Sequence, residues 1–321
     1  MNGFDPTGVP SRHEWRGSAS ESTSWTRIVS PSGWFRIVVA VVLLAIAYRH
    51  ALLQTLVGRW LSDGDWSHGW LIPLFSLYFL GTRRDELAKA RVRPSYMGAI
   101  VLAVSLAGYF VSGWVYRMAY PQAVTIVGAI FGLTLLMGGW RVIRVAWFPI
   151  VFLLLAVPLP QRTYVAMTMP MRQIASSVAA AVMPLFASGL HTEAQAVVID
   201  YVMPGMTPGT LNIEEACAGM RLTMAFVTLG VAMAYLGERP AWQRLVMVAS
   251  CVPIAILCNA IRVTTTGLLY VHGHQELARG TPHQLLGIVM LAIALGLFSL
   301  LGYVLNRLLI DMPDEDAAEQ A

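Results

Sequence analysis

Apolar runs about as long as a bilayer is thick recur along this chain of 321 residues, separated by short loops that carry arginine and lysine. A helix needs about 20 such residues to cross the hydrocarbon. Inside lipid every backbone N–H and C=O must be satisfied within the segment, so runs of this length have to be helical. The composition agrees: 56% of the residues are hydrophobic, 12% are charged, and mean hydropathy is +0.61. A water-soluble domain carries roughly twice that charged fraction, so ordinary soluble folds and disordered chains are excluded. The 22 Lys and Arg exceed the 18 Asp and Glu, giving a net charge of +4. They are spread in small groups and form no basic face, which argues against a nucleic-acid partner. The expected class is an all-α polytopic integral membrane protein.

Eight spans are expected. They cover about Trp34 to Val57, Gly69 to Gly81, Met97 to Tyr116, Gln122 to Gly139, Val145 to Leu159, Ala218 to Leu236, Leu245 to Tyr270 and Pro282 to Leu305. Tyr48, Arg49 and His50 put the second half of the first span at an interface, and the second span is short and contains Pro73. The polar segment 1–33 precedes the first run without a small-residue cleavage site, so that run reads as a retained anchor. Arg83, Arg84, Lys89, Arg91 and Arg93 lie in one loop, Arg141 and Arg144 in another, and Arg239 and Arg244 in a third. With eight spans all three share a side, which the positive-inside rule assigns to the cytoplasm, together with the N-terminus and the acidic tail 309–321. The membrane domain is then 34–308, in the inner (plasma) membrane.

The longest connection, 160–216, falls on the opposite, periplasmic side. Its apolar stretch Tyr164 to Ala187 has the length of a ninth span, but Pro170, Arg172 and Gln173 sit near the middle, and an Arg there is costly in lipid. An interfacial helix is the expectation. Ala194 to Leu211 follows, with Val197, Val198 and Ile199 and then Pro204, Gly205, Pro208 and Gly209, and reads as a short extended or hairpin piece over the membrane surface.

The three cysteines, Cys217, Cys251 and Cys258, match no disulfide framework or zinc spacing, and no metal or cofactor is expected. Cys251 and Cys258 lie inside an apolar run and read as small hydrophobes. Cys217 differs. It lies in Asn212-Ile-Glu-Glu-Ala-Cys-Ala-Gly-Met-Arg221, where an acidic loop meets the first turn of a span. The positive end of the helix dipole favours a thiolate there, and Arg221, at i+4, adds a cation on the same face.

Asn259, Arg262 and Thr266 share a helix face at i, i+3, i+7, with Arg262 eight residues, about 12 Å, below Tyr270. An Arg at that depth either snorkels, pairs structurally or serves a site, and the polar seam favours a site. His272 and His274 lie in a loop and read as solvated, whereas His283 starts the last span. Two spans separate Cys217 from His283, so both emerge on one side. A thiol, a histidine and a guanidinium from three consecutive helices make an acyl-transfer set of nucleophile, base and oxyanion stabiliser.

These residues carry a resemblance. Glu215-Ala-Cys-Ala-Gly-Met-Arg221, Asn259-Ala-Ile-Arg-Val263 and His283 with Gly287 are similar to the ordered motifs of the exosortase/archaeosortase family, membrane-embedded transpeptidase-like enzymes. Ser67-His-Gly-Trp-Leu-Ile-Pro73 and Val157-Pro-Leu-Pro-Gln161 match more loosely, and Ala218 stands where the family often has Ser. The resemblance covers about residues 35 to 305. It implies a thiol protease or transpeptidase with Cys217 as nucleophile and Arg262 and His283 as its partners. Its substrates would be exported, membrane-anchored proteins ending in a sorting signal: a short motif, a transmembrane helix and a basic tail. Arg221, Asn259, Glu215 and His68 are supporting residues. His68, beside Asp63 and Asp65, reads equally as a proton relay or rim contact and as a capping and packing residue. The alternative class is a transporter or polysaccharide-polymerising protein of an export locus, which needs no thiol.

Overall fold

A computed structural model describes residues 30–212, 220–237, 239–274, 276–277 and 280–308, with 220–222, 280–284 and 308 described by their backbone alone. The expected apolar runs are mostly helical there, although Val157 to Leu159 is not, and they are unlike one another in length and straightness. Helix α1 (Pro31–Ala47) starts with the Ser30 hydroxyl accepting from the Gly33 N–H at 3.2 Å and with proline in its first turn. It ends at the polar trio Tyr48, Arg49 and His50. There the chain bends by 74° into a π-helical segment, Ala51–Val57, and α2 (Gly58–Ser62). The first run is therefore a bent pair and not one straight rod. Tyr48 is buried at the bend, its hydroxyl donating to the Thr125 carbonyl at 3.3 Å and its ring lying 4.5 Å from that of Tyr109.

A 3-10 helix, Gly64–Trp70, leads into the short α3 (Leu71–Thr82), and α4 (Arg84–Lys89) follows. Helices α5 (Met97–Trp114) and α6 (Ala119–Gly138) form an antiparallel hairpin, packed closely enough that a Cβ at Gly132 would lie 2.7 Å from the Leu102 nitrogen. Helix α7 (Trp140–Phe152) continues through a 3-10 turn, Leu153–Ala156. Helix α8 (Gln161–Val182) then leaves it at 89°. A three-stranded antiparallel sheet comes next, β1 (His191–Gln195), β2 (Val198–Val202) and β3 (Gly209–Asn212), in that order. Its register pairs Gln195 with Val198 and Ile199 with both Ala194 and Leu211. Ala196 turns the first hairpin at φ +54°. The extended segment expected from sequence is thus a small meander, begun three residues earlier than expected.

Helices α9 (Met220–Leu236), α10 (Ala241–Ala249), α11 (Cys251–Val271) and α12 (Gly280–Leu308) complete the described chain. Among the described residues, four units are long and apolar enough to cross a membrane unaided: α5, α6, Ala241–Val271 and Leu285–Arg307. Counting the two bent pairs, α1 with α2 and α7 with α8, brings these to six, while α3 and α9 are shorter.

Side-chain contacts give the direction of each helix. Gly230, late in α9, faces Cys251 at the start of α11 and Phe298 late in α12, and Ala234 clusters with Met247 and Leu305. Helices α9 and α12 therefore run together and α11 runs against them. Phe148 of α7 stacks on Tyr235 at 3.7 Å, the Ser76 hydroxyl of α3 donates to the Pro149 carbonyl at 2.7 Å, and Arg83 lies over the Tyr235 ring. The Arg93 N–H reaches the Gly138 carbonyl at 3.2 Å, and Arg239 donates to the Gly302 carbonyl at 3.0 Å. The cationic loops are gathered by these contacts at one end of the helices, and the sheet lies at the other.

The helix α8 does not lie apart on a surface. It buries Tyr164, Thr168, Arg172, Ser176 and Ala180, every fourth residue, and it runs beside α11 in the same direction. Met171 packs in the cluster with Ile254 and Cys258, and Met183 lies under Gly267. Arg172 itself is turned into the protein, only 8% exposed, on a helix that meets α7 at 89°.

Candidate active site

Of the residues expected from sequence to form a site, Asn259, Arg262 and His68 have described side chains, the first two on α11 and His68 on the 3-10 helix before α3. On α11, Arg262 is 3% exposed and Thr266, one turn beyond it, is fully buried, with Asn259 half-buried one turn before. The expected polar seam is thus an inward-facing stripe. Its neighbours Thr264 and Thr265 use their hydroxyls on the carbonyls of Ala260 and Ile261, at 2.8 and 2.9 Å. Those two threonines serve their own helix.

The sheet fixes where the chain comes down onto this stripe. Leu211 of β3 is buried against α11, its side chain 3.2 Å from where a Gly267 Cβ would sit. Gly267 lies five residues, about 7 Å, above Arg262. Six residues separate Leu211 from Cys217, and three more reach Met220, where α9 begins. Because α9 and α12 both run against α11, the starts of α9 and α12 and the end of α11 share this end of the bundle. Cys217 and Glu215 themselves lie outside the described residues. Arg221 and His283 belong to the first turns of α9 and α12, and their side chains also lie outside the described residues. His272 Nδ1 donates to the Leu268 carbonyl at 2.8 Å, and the residue is exposed, in keeping with its reading as a loop residue.

His68 has a more enclosed setting than a rim position. The 3-10 helix that carries it is opened by Asp63, whose carboxylate accepts from the Asp65 N–H at 3.1 Å. It is held flat against α2 by Gly69, where a Cβ would come within 2.2 Å of the Trp60 Nε1. Trp60 in turn donates to the Ala156 carbonyl at 2.9 Å, locking this turn to the end of α7. The His68 ring, 8% exposed, lies 5.7 Å from Trp66, which lies 5.7 Å from Tyr164. Burial holds the His68 imidazolium below its ordinary value, the Asp65 backbone pulling weakly the other way. The Tyr164 hydroxyl faces the Asp65 carboxylate, with Arg172 within electrostatic reach.

This Asp65, Tyr164 and Arg172 cluster was not singled out from the sequence. The signal was present as the polar stripe Tyr164, Thr168, Arg172 and Ser176 at four-residue spacing, which marks one helix face turned to a partner. The 3-10 helix touches α9 as well, and α8 packs along α11. Arg172 and Arg262, on the neighbouring helices α8 and α11, are both buried.

The fold defines a multi-pass, all-α membrane protein with a buried arginine on each of the neighbouring helices α8 and α11. A family description, transmembrane exosortase (Exosortase_EpsH), matches residues 60–300, and the chain belongs to that family. The matched region runs from Trp60 through the His68 turn, α8, the sheet, α11 and most of α12. No curated protein and no solved structure matches.

Proposed function

We propose that this exosortase cleaves a C-terminal sorting signal on exported, membrane-anchored proteins at the outer face of the inner membrane. The match over residues 60–300 carries this reading, and the burial of Arg262 beside the strand that leads into Cys217 supports it. The Cys217 thiolate attacks the scissile carbonyl, and the negative charge that builds on its oxygen is met by Arg262 with Arg221 in support. The carbon–nitrogen bond breaks, a thioester forms, and His283 delivers to the leaving amine the proton it took from the thiol. An acceptor amine or hydroxyl, or water, then opens the thioester. Glu215 and Asn259 flank the nucleophile and the guanidinium, and His68 lines the enclosed side. In this reading the cationic end, with segments 1–33 and 309–321, faces the cytoplasm.

The test is labelling of intact cells with a membrane-impermeant maleimide, comparing wild type with Cys217→Ala, followed by a search for a hydroxylamine-sensitive substrate adduct. Labelling and adduct lost together in the variant are expected. Reaction of Cys217 only after permeabilisation, or full processing by Cys217→Ala, overturns the proposal and favours a thiol-independent protein.

A further inference from the structure

The cationic end holds a second feature, independent of the enzymatic reading. A cleft of about 440 Å³ is lined by Arg93, Pro94 and Ser95 from the segment before α5 and by Trp140, Arg141 and Arg144 from the start of α7. That volume is within the range of small-ligand sites, about 300–1,000 Å³. Three arginines from segments almost fifty residues apart line one opening. No carboxylate among the described residues pairs with any of them, because the ion pairs there join Arg59 to Asp63, Arg83 to Glu86 and Arg84 to Asp85.

The walls are built, not draped. Gly139 stands at φ +79°, and a Cβ on it would come within 1.8 Å of the Arg93 carbonyl oxygen, so the segment that carries Arg93 sits directly on the α6–α7 turn. The Arg93 N–H ties it to Gly138. Arg141 and Arg144, three apart, share one side of α7. The cleft therefore holds its cations together although their mutual repulsion would spread them, and an anion relieves that repulsion.

The surroundings say which anion. The cleft lies where three apolar elements, α5, α6 and α7, reach their cationic ends, at the level of the lipid headgroups. Trp140 on its wall is 52% exposed and Tyr96 beside it 91% exposed, the amphipathic aromatics that settle at a membrane interface. From the same end, exposed Ile100 and Val104 of α5 and Trp147 and Val151 of α7 continue as apolar surface towards the membrane interior. An anion with apolar chains attached fits this layout better than a free one.

We infer that the Arg93, Arg141 and Arg144 cleft binds the phosphodiester headgroup of an anionic phospholipid. The guanidiniums accept the phosphate through charge-assisted hydrogen bonds, Trp140 covers the glycerol region, and the acyl chains follow the exposed faces of α5 and α7.

The experiment uses the full chain, purified and released from nanodiscs of neutral lipid with and without phosphatidylglycerol, with retained lipid counted by native mass spectrometry. Wild type is expected to keep a phosphatidylglycerol molecule that Arg141→Gln/Arg144→Gln loses, with retention weakened roughly tenfold or more. The charge-keeping Arg141→Lys/Arg144→Lys pair retains most of it, and Arg49→Gln, remote from the cleft, retains all of it. Equal retention by wild type and the double Gln variant overturns the proposal. So does equal thermal stabilisation by inorganic phosphate in neutral nanodiscs, which would make the site one for a free anion.

Discussion

Replacing Gly69 by alanine tests how firmly the His68 turn is locked. The added methyl would meet the Trp60 indole at 2.2 Å from Nε1, so the ring must move. Trp60 is 8% exposed and its Nε1 donates to the Ala156 carbonyl at 2.9 Å, a bond that does not survive a displacement of an ångström. Overpacking costs about 1–3 kcal/mol, and leaving the indole N–H and the carbonyl buried without partners adds about 1–3 kcal/mol. Together that is about 2–6 kcal/mol, which for a chain of this size corresponds to a fall in Tm of about 3–9 °C. Thermal unfolding of the purified protein in detergent, followed by tryptophan fluorescence, reads it. A second variant makes the cause specific. Gly69→Ala combined with Trp60→Phe removes the atom that is struck, so the double variant should be less destabilised than the sum of the singles. Strict additivity, or a Gly69→Ala protein with unchanged Tm, would refute the packing argument.

Other consequences are equally measurable. Arg262→Lys keeps a charge but not the planar fork, and in a processing assay on a tagged substrate it should lose about a hundredfold or more in rate while its Tm stays near that of wild type. His68 titrates below its ordinary 6.5 because it is buried, so between the two values the unfolded chain binds more protons than the folded one. Its contribution to stability is therefore complete above about pH 6.5 and declines as pH falls towards the folded value. Tm measured between about pH 8 and about pH 5 should fall less in His68→Gln than in wild type. Ser76→Ala removes the hydroxyl that reaches the Pro149 carbonyl at 2.7 Å and joins α3 to α7. Bonds of this kind between membrane helices contribute about 0.6 kcal/mol and at most about 1.7, so a small loss in unfolding free energy is expected, and none at all would sink the assignment.

Much of the fold was legible because its code is local. The apolar helices follow from hydropathy, the short α3 was visible from its length and Pro73, and Tyr48, Arg49 and His50 marked where the first run changes character. The strand segment was marked by Val197, Val198 and Ile199 followed by the prolines and glycines of the β2–β3 turn. The inward stripe of Asn259, Arg262 and Thr266 was a matter of helical periodicity alone. The burial of Arg172 was not legible, for a definite reason. Sequence prices an arginine against lipid, whereas the energy depends on what faces it, and only a neighbouring helix decides that.

By itself, then, the sequence determined which segments are helices, that they belong in a membrane, and which ends carry the cations, since each follows from a transfer free energy read along one stretch of chain. Tertiary structure decided the rest. It turned Arg172 inward, set β3 against Gly267 just above Arg262, buried His68 behind Trp66 and Tyr164, and brought Arg93 to Arg141 and Arg144 through the contact at Gly139. Those juxtapositions join residues far apart in the chain, and they depend on packing between helix faces, for which no single segment holds the instructions.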